Sequence, residues 1–257
     1  MRLLFLGDIV GRPGRKAVVA HLPEIKRQYR PDVIVANGEN AAGGFGLTMG
    51  AAEELLSSGI ELITMGNHTW DNKEIFTVLT EHSEVIRPAN YPPGAPGNGY
   101  GIIRVSGTSG AKIAVINLNG RVFMDQADDP FRAFDDLYEE VRASVNAVIV
   151  DFHAEATSEK VAFGWFADGR ATAVFGTHTH VATADERILP QGTAYITDVG
   201  MTGPLNSVLG IDPSIRDWSS DVCSSDLPVS FNSVVVDFDE HTGKALAIER
   251  VSAIFEN

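Results

Sequence analysis

Short apolar runs and amphipathic stretches alternate along most of this chain. Arg2 to Gly7 reads as a buried strand, and Asp8 to Arg15 turns into a helix that runs towards Arg30, with Pro13 near its first position, where proline is tolerated. Pro23 is expected to kink that helix, because it removes a backbone donor. Asp32 to Ala36 and Ile60 to Met65 are further apolar strands. Between them lie a glycine-rich loop over 41–46 and a helix from Thr48, as its N-cap, to Ser57. Asn72 to Thr80 has helical patterning, whereas Arg87 to Gly99 is proline-rich and irregular.

The second half continues the alternation. Tyr100 to Val105 and Lys112 to Leu118 are strand candidates, Asp129 to Ser144 is a charged amphipathic helix, and Ala147 to Val150 is an apolar strand. A helix is expected over Glu155 to Phe163, then strands over Ala171 to Phe175 and Thr193 to Thr197. Ser233 to Phe238 and Lys244 to Ser252 read as a closing hairpin around Glu240 to Gly243. No linker or repeat divides the 257 residues, so a single domain over 1–257 is expected.

The ends of the apolar runs carry the chemistry. Asp8, Glu39, Asn67, His153 and the pair His178 and His180 each follow such a run. In open α/β sheets functional groups gather at the carboxyl ends of strands, so these endings can converge on one crevice. The His178/His180 spacing puts both rings on one side of an extended backbone. Carboxylate, imidazole and amide oxygen together favour Mn, Fe, Zn or Co. Six candidate ligands exceed what one catalytic ion with an open position uses, and they fit two ions sharing a carboxylate. His21, His82 and His241 lie outside these endings and read as structural or solvated.

Composition narrows the choice. Cys223 is the single cysteine, so thiolate metal clusters and internal disulfides are excluded, and any metal is held by nitrogen and oxygen. A formal net charge of −14 argues against an extended nucleic-acid surface and leaves bound cations to offset an anionic substrate. The apolar runs are too short for a membrane span, and the first residues turn polar too early for a signal peptide, so a cytoplasmic location is expected. Arg12 and Arg15 could hold a substrate phosphate near a helix start, the glycines at 43, 44 and 46 could let a loop close, and Glu155 could orient a ligand.

The ordered motifs Gly7-Asp8, Gly38-Glu39-Asn40, Gly66-Asn67-His68, His153 and Gly176-Thr177-His178-Thr179-His180 resemble those of calcineurin-like metallophosphoesterases. Asn-His-Thr-Trp-Asp (67–71), Asp-Phe-His-Ala-Glu (151–155) and Thr-Ala-Asp-Glu-Arg-Ile-Leu-Pro (183–190) are most similar to the bacterial YmdB-like branch of cyclic-nucleotide phosphodiesterases. The resemblance implies an α/β sandwich of two central mixed β-sheets flanked by helices. It also implies two divalent or mixed-valence ions, Fe or Mn first and Zn or Co next. It places Asp8 and His180 on the first ion, Asn67, His153 and His178 on the second, Glu39 between them, His68 as general acid or transition-state stabiliser and Asn40 on the phosphate. The broader superfamily has Asp-x-His in its first motif, whereas Val10 stands at the histidine position here, which implies one protein ligand fewer. The implied reaction is attack of a metal-bridging hydroxide on a small phosphodiester of the 2′,3′-cyclic AMP type, by a chain that could form a homo-oligomer. The alternatives are a phosphomonoesterase or nuclease of the same fold, or a metal-binding regulator of RNA turnover.

One stretch does not fit. Residues 216–227 lack both periodicities and contain Ser-Ser-Asp twice, and the family resemblance lapses there. Asp217 to Leu227 resembles one reading frame of a common sequencing adapter, so we expect an artefact that replaces a helix-and-return segment. Resequencing the source gene tests this; the same codons in genomic DNA would sink the idea.

Overall fold

The computed structural model describes residues 1–108, 110–211, 213 and 228–255, so the anomalous 217–227 segment lies outside the described residues. The first half forms β1 (Arg2–Leu6), α1 (Gly11–Tyr29), β2 (Val33–Asn37), α2 (Met49–Ser57), β3 (Leu62–Thr64), a 3-10 turn (Asn67–Trp70), α3 (Ile75–Glu81) and β4 (Val85–Ile86). Then come β5 (Tyr100–Arg104), β6 (Lys112–Asn119), α4 (Pro130–Val141), β7 (Ala147–His153), α5 (Thr157–Ala167), β8 (Ala173–Thr177), β9 (Arg187–Ile188), β10 (Ala194–Ile196) and β11 (Gly203–Pro204). The chain closes with the hairpin β12 (Val229–Phe238) and β13 (Ala245–Phe255).

These strands make two mixed sheets. One has the order β11-β12-β1-β2-β3-β4, with β13 on the far side of β12; the other has the order β5-β6-β7-β8-β10-β9. β1 to β4 run parallel, as do β6, β7, β8 and β10, while β12 is antiparallel to β1. Strand alternation explains the layering, because successive side chains leave opposite faces. Leu3 and Phe5 face the second sheet, in one apolar cluster with Val35, Val115, Ile149 and Phe175. Leu4 and Leu6 point the other way, into the cluster under α1 and α2. On the second sheet Ile116, Val150 and Phe152 likewise pack with Phe134 and Phe163 of α4 and α5. The result is the expected α/β sandwich with helices outside two central sheets. Among the described residues no helix is long and apolar enough to cross a membrane.

Several boundaries differ from the sequence expectation. α1 extends through Pro23 as one helix, with no intrahelical donor there for the Val19 carbonyl. α3 starts at Ile75 instead of Asn72, because the Asn72 side chain accepts the Glu74 N–H (3.0 Å) and holds a turn there. α5 starts at Thr157, which frees Glu155 from the helix. Thr48 does cap α2, accepting from the Ala51 N–H at 3.3 Å.

Candidate active site

The parallel strands of both sheets end at one edge of the sandwich, and the candidate ligands lie at those ends. Asp8, Glu39, Asn40 and Asn67 follow β1, β2 and β3, while His153 closes β7 and His178 and His180 follow β8. The structure brings them together in two overlapping groups. Ligand atoms of Glu39, His153 and His178 lie within 4.8 Å of one another, and so do those of Asp8, Glu39 and His180. Glu39 is common to both. The Asn67 Oδ1 is 2.9 Å from His153 Nε2, in the first group, and the Asn40 Oδ1 is 3.2 Å from His180 Nε2, in the second.

The extended-backbone reading of the histidine pair is corrected. β8 stops at Thr177, and His178 and His180 have φ of 93° and 66°, left-handed values that non-glycine residues adopt at a cost. Asp198 holds this loop by accepting from the Thr179 hydroxyl (2.7 Å) and the Thr179 N–H (3.3 Å). A buried ion pair with Lys160 of α5 fixes Asp198 in turn (2.6 Å). The left-handed turns aim the two rings at different groups of atoms.

Each imidazole is oriented by its other nitrogen. Thr177 donates its hydroxyl to Asp151 Oδ1 (2.7 Å), so its oxygen is left to accept from His153 Nδ1 at 2.9 Å, and the Nε2 lone pair faces Asn67 and Glu39. His178 Nε2 meets Glu155 Oε2 at 3.1 Å, which leaves Nδ1 facing His153 Nε2 at 3.1 Å. His180 Nδ1 donates to the Leu209 carbonyl at 3.1 Å, which leaves Nε2 for the second group. Such outer partners fix the tautomer of metal-bound histidines.

Lone pairs from nitrogen and oxygen thus point at one another with too few protons between them. Glu39 Oε1 is buried and accepts no hydrogen bond, although it lies 2.9 Å from His153 Nε2. Burial pushes the Asp8 carboxyl up to about 6 against the pull of His180 and His153. Burial acts the same way on Glu39, but the charge of His153 outweighs it and holds the carboxyl at about 2. A proton on His153 Nε2 is the alternative to a cation there: burial lowers the imidazole, but Glu39, Asp8 and Asp151 outweigh it and raise it to about 9. Burial and the neighbouring His153 push His178 down to about 3. The cluster therefore demands positive charge, and the donor set fits divalent cations that accept nitrogen and oxygen.

Two glycines permit this crowding. A Cβ on Gly66 would fall against Glu39 Oε2 and His153 Nε2, and a Cβ on Gly176 would fall against the Thr197 carbonyl. His68 follows in the 3-10 turn; its N–H donates to Glu39 Oε2 (3.1 Å) and its Nδ1 pairs with Asp71 Oδ2 (2.8 Å). A cavity of about 280 Å³ opens over the cluster, lined by Glu39, Asn40, His68, His178 and His180 among others.

The family model for YmdB-like proteins matches residues 4–251. The chain belongs to the YmdB-like family. It is 50% identical to a 2′,3′-cyclic-nucleotide 2′-phosphodiesterase of Bacillus subtilis (strain 168), over 98% of this chain and 96% of that one. Among solved structures it superposes with a TM-score of 0.91 on a novel phosphatase of Mycoplasma pneumoniae (36% identity, 100% of this chain and 94% of that one). A hypothetical protein of Thermus thermophilus gives 0.89 (41% identity, 99% and 100%). The YmdB-like chain is an enzyme, a hydrolase of the metallophosphoesterase type.

Other expected residues have structural partners in this YmdB-like fold. Arg15 does not line the cavity; it pins α1 to α2 through Glu54 (2.6 Å) and to the Ala41 carbonyl. Arg12 is exposed and also absent from the lining. His21 stacks on Phe255 (centroids 3.3 Å apart), which fits its structural reading.

The supporting residues escape the sequence analysis. Asp151, fully buried, accepts from Asn37 of β2 (2.9 Å), Thr64 of β3 and Thr177 of β8, and so ties the two sheets together behind the ligands. Burial drives its carboxyl upward against those donors. A charge inside the apolar run Val148-Ile149-Val150-Asp151-Phe152 was the available signal, as was Lys160 in a helix face that packs on the core.

Proposed function

We propose that this chain is a dinuclear metal-dependent phosphodiesterase acting on 2′,3′-cyclic nucleotides. The observation that carries the reading is the position of Glu39, whose carboxylate belongs to both ligand groups. In this assignment Asp8, Glu39 and His180 hold one ion and Asn67, His153, His178 and Glu39 the other, with Fe or Mn as the first candidates. Asn40 is better placed as an oxygen donor to the first group than on the phosphate, since its Oδ1 faces His180 and its Nδ2 is committed to the Gly44 carbonyl (2.8 Å). That amide oxygen would take up the coordination that Val10 cannot supply. Bound there, two cations would offset the charge on the phosphate oxygens and would supply a water nucleophile competent at neutral pH.

The chain's own residues do the rest. His68 stands at the cavity wall with Nδ1 held by Asp71, so its Nε2 is the atom that gives a proton to the leaving ribose oxygen. Asp71 keeps that tautomer and fixes the orientation of the ring. The name of the Bacillus subtilis relative supports the substrate class.

The test loads the protein with Mn or Fe and assays 2′,3′-cyclic AMP, 3′,5′-cyclic AMP and an aryl phosphodiester side by side. Glu39→Gln is expected to lose both metal and rate, because it weakens a shared bridge. His68→Ala is expected to keep its metal and lose on the order of 10² to 10⁴ in rate. Full metal occupancy without hydrolysis of any of the three would refute the enzymatic reading and favour a metal-binding regulator.

A further inference from the structure

The cavity over the cluster is lined by two unlike sets of residues. One is the polar set already described. The other consists of Val10, Phe45, Leu209 and Ile211, and among the described residues no lysine or arginine lines the cavity. Hydrolysis of a phosphodiester needs the polar set alone, so the apolar set has no part in the chemistry.

Phe45 is the unusual member. It stands 36% exposed at the cavity rim and belongs to none of the apolar clusters of the core. Its ring meets His68 edge-on, with centroids 5.0 Å apart and planes at 77°. The loop that carries it is tightly held: the Ala42 N–H donates to the Gly46 carbonyl (3.0 Å), the Phe45 N–H to the Ala42 carbonyl (3.2 Å), and the Gly44 N–H to the Asn40 carbonyl (3.1 Å). Left-handed φ at Gly43, Gly44 and Gly46 makes this path possible. An aromatic ring is thus displayed on a closed loop, tied by Asn40 to the ligand cluster, with no core role to account for it.

We infer that Phe45, with Leu209 and Ile211 lining the same cavity, forms a stacking subsite for the base of a nucleotide substrate whose phosphate lies on the cluster. This rests on the cyclic-nucleotide reading above and adds to it a residue that selects base-bearing substrates. Base–aromatic stacking tolerates all bases and favours the larger purine ring face. Phe45 is a binding residue here and touches no reacting atom.

The experiment compares 2′,3′-cyclic AMP with methyl ribofuranoside 2′,3′-cyclic phosphate, which keeps the reacting group and lacks the base. In the metal-loaded wild type the ratio of kcat/KM for the two substrates exceeds one. In Phe45→Ala that ratio is expected to fall by about 5- to 150-fold, mainly through KM, the span that stacking on one aromatic side chain supports. Phe45→Trp keeps it. Equal losses on both substrates in Phe45→Ala would assign Phe45 to holding His68 or the loop and overturn the subsite; an unchanged ratio would overturn it as well. A binding titration separates this from failure of the enzymatic reading. If the wild type hydrolyses neither substrate, the subsite still requires that adenosine monophosphate bind more tightly than ribose phosphate and that Phe45→Ala abolish the difference. Equal affinities would refute it.

Discussion

Replacing Lys160 by methionine removes the ammonium from an ion pair in which both side chains are about 1% exposed and the Nζ–Oδ2 distance is 2.6 Å. Methionine fills nearly the same volume, so little of the effect is a cavity. What remains is Asp198, a buried carboxylate that still accepts from the Thr179 hydroxyl, the Thr179 N–H and the Gly200 N–H. Removing one partner of a buried pair costs roughly 3–5 kcal/mol, and the surviving donors put this case at the low end, about 3 kcal/mol. A chain of this size loses roughly 2–4 °C of Tm per kcal/mol, so a fall of about 6–12 °C is expected by calorimetry. The double variant Lys160→Met/Asp198→Asn, which leaves no orphaned charge, is expected to recover a good part of that loss. The reasoning fails if Lys160→Met costs less than about 1 kcal/mol, the range of an exposed pair, or if the double variant is no better than the single one.

Two further substitutions probe the site and its support. Gly66→Ala drives a methyl group against Glu39 and His153, so metal affinity, read by elemental analysis after dialysis against a series of free-metal concentrations, is expected to fall by at least the roughly 10- to 100-fold seen when a partner of a metal ligand is disturbed; wild-type affinity would refute it. Asp185 accepts from the hydroxyls of Thr183 and Thr197 and from the Thr197 N–H, donors that outweigh burial and hold its carboxyl below its ordinary 3.8. A depressed folded pKa stabilises the fold above the unfolded pKa, and this is lost as the pH falls through the folded value. Denaturation of Asp185→Asn should therefore show a deficit at pH 7 that closes below pH 3.8, and a pH-independent deficit would assign the effect to geometry instead.

Much of this was legible because the sequence signals were local. The runs after Arg2, Asp32 and Ala147 announce strands by apolar content, and Thr48 and the turn at 240–243 carry their own caps and turn residues. The candidate ligands that the structure brings together were legible because each follows such a run. What was not legible depends on segments distant in sequence. The left-handed turns at His178 and His180 are imposed by Asp198 and by the His180 carbonyl bond from the Met201 N–H (3.2 Å), and nothing in Gly-Thr-His-Thr-His itself signals them. Asp151 reaches donors on three other strands, and Glu155 moves from an expected helix to His178. Propensity and periodicity describe neighbours along the chain, whereas these residues are placed by neighbours across it.

The division of candidate ligands between the sheets gives the site its logic. The carboxylates and amides, Asp8, Glu39, Asn40 and Asn67, come from the ends of β1, β2 and β3, and the imidazoles His153, His178 and His180 come from the ends of β7 and β8. Neither sheet holds a complete ligand group, since each group pairs Glu39 with histidines of the other sheet. Docking the two inner faces through Phe5 on Phe175 brings together a charge pattern that apolar packing alone would oppose, with Asp8, Glu39 and Asp151 buried around one His153. The hydrophobic interface therefore stabilises the assembly of an arrangement that is electrostatically incomplete. That incompleteness is what makes the strand ends a candidate cation site: groups satisfied by one another would have no reason to hold a metal, whereas groups forced together by the sandwich behind them do.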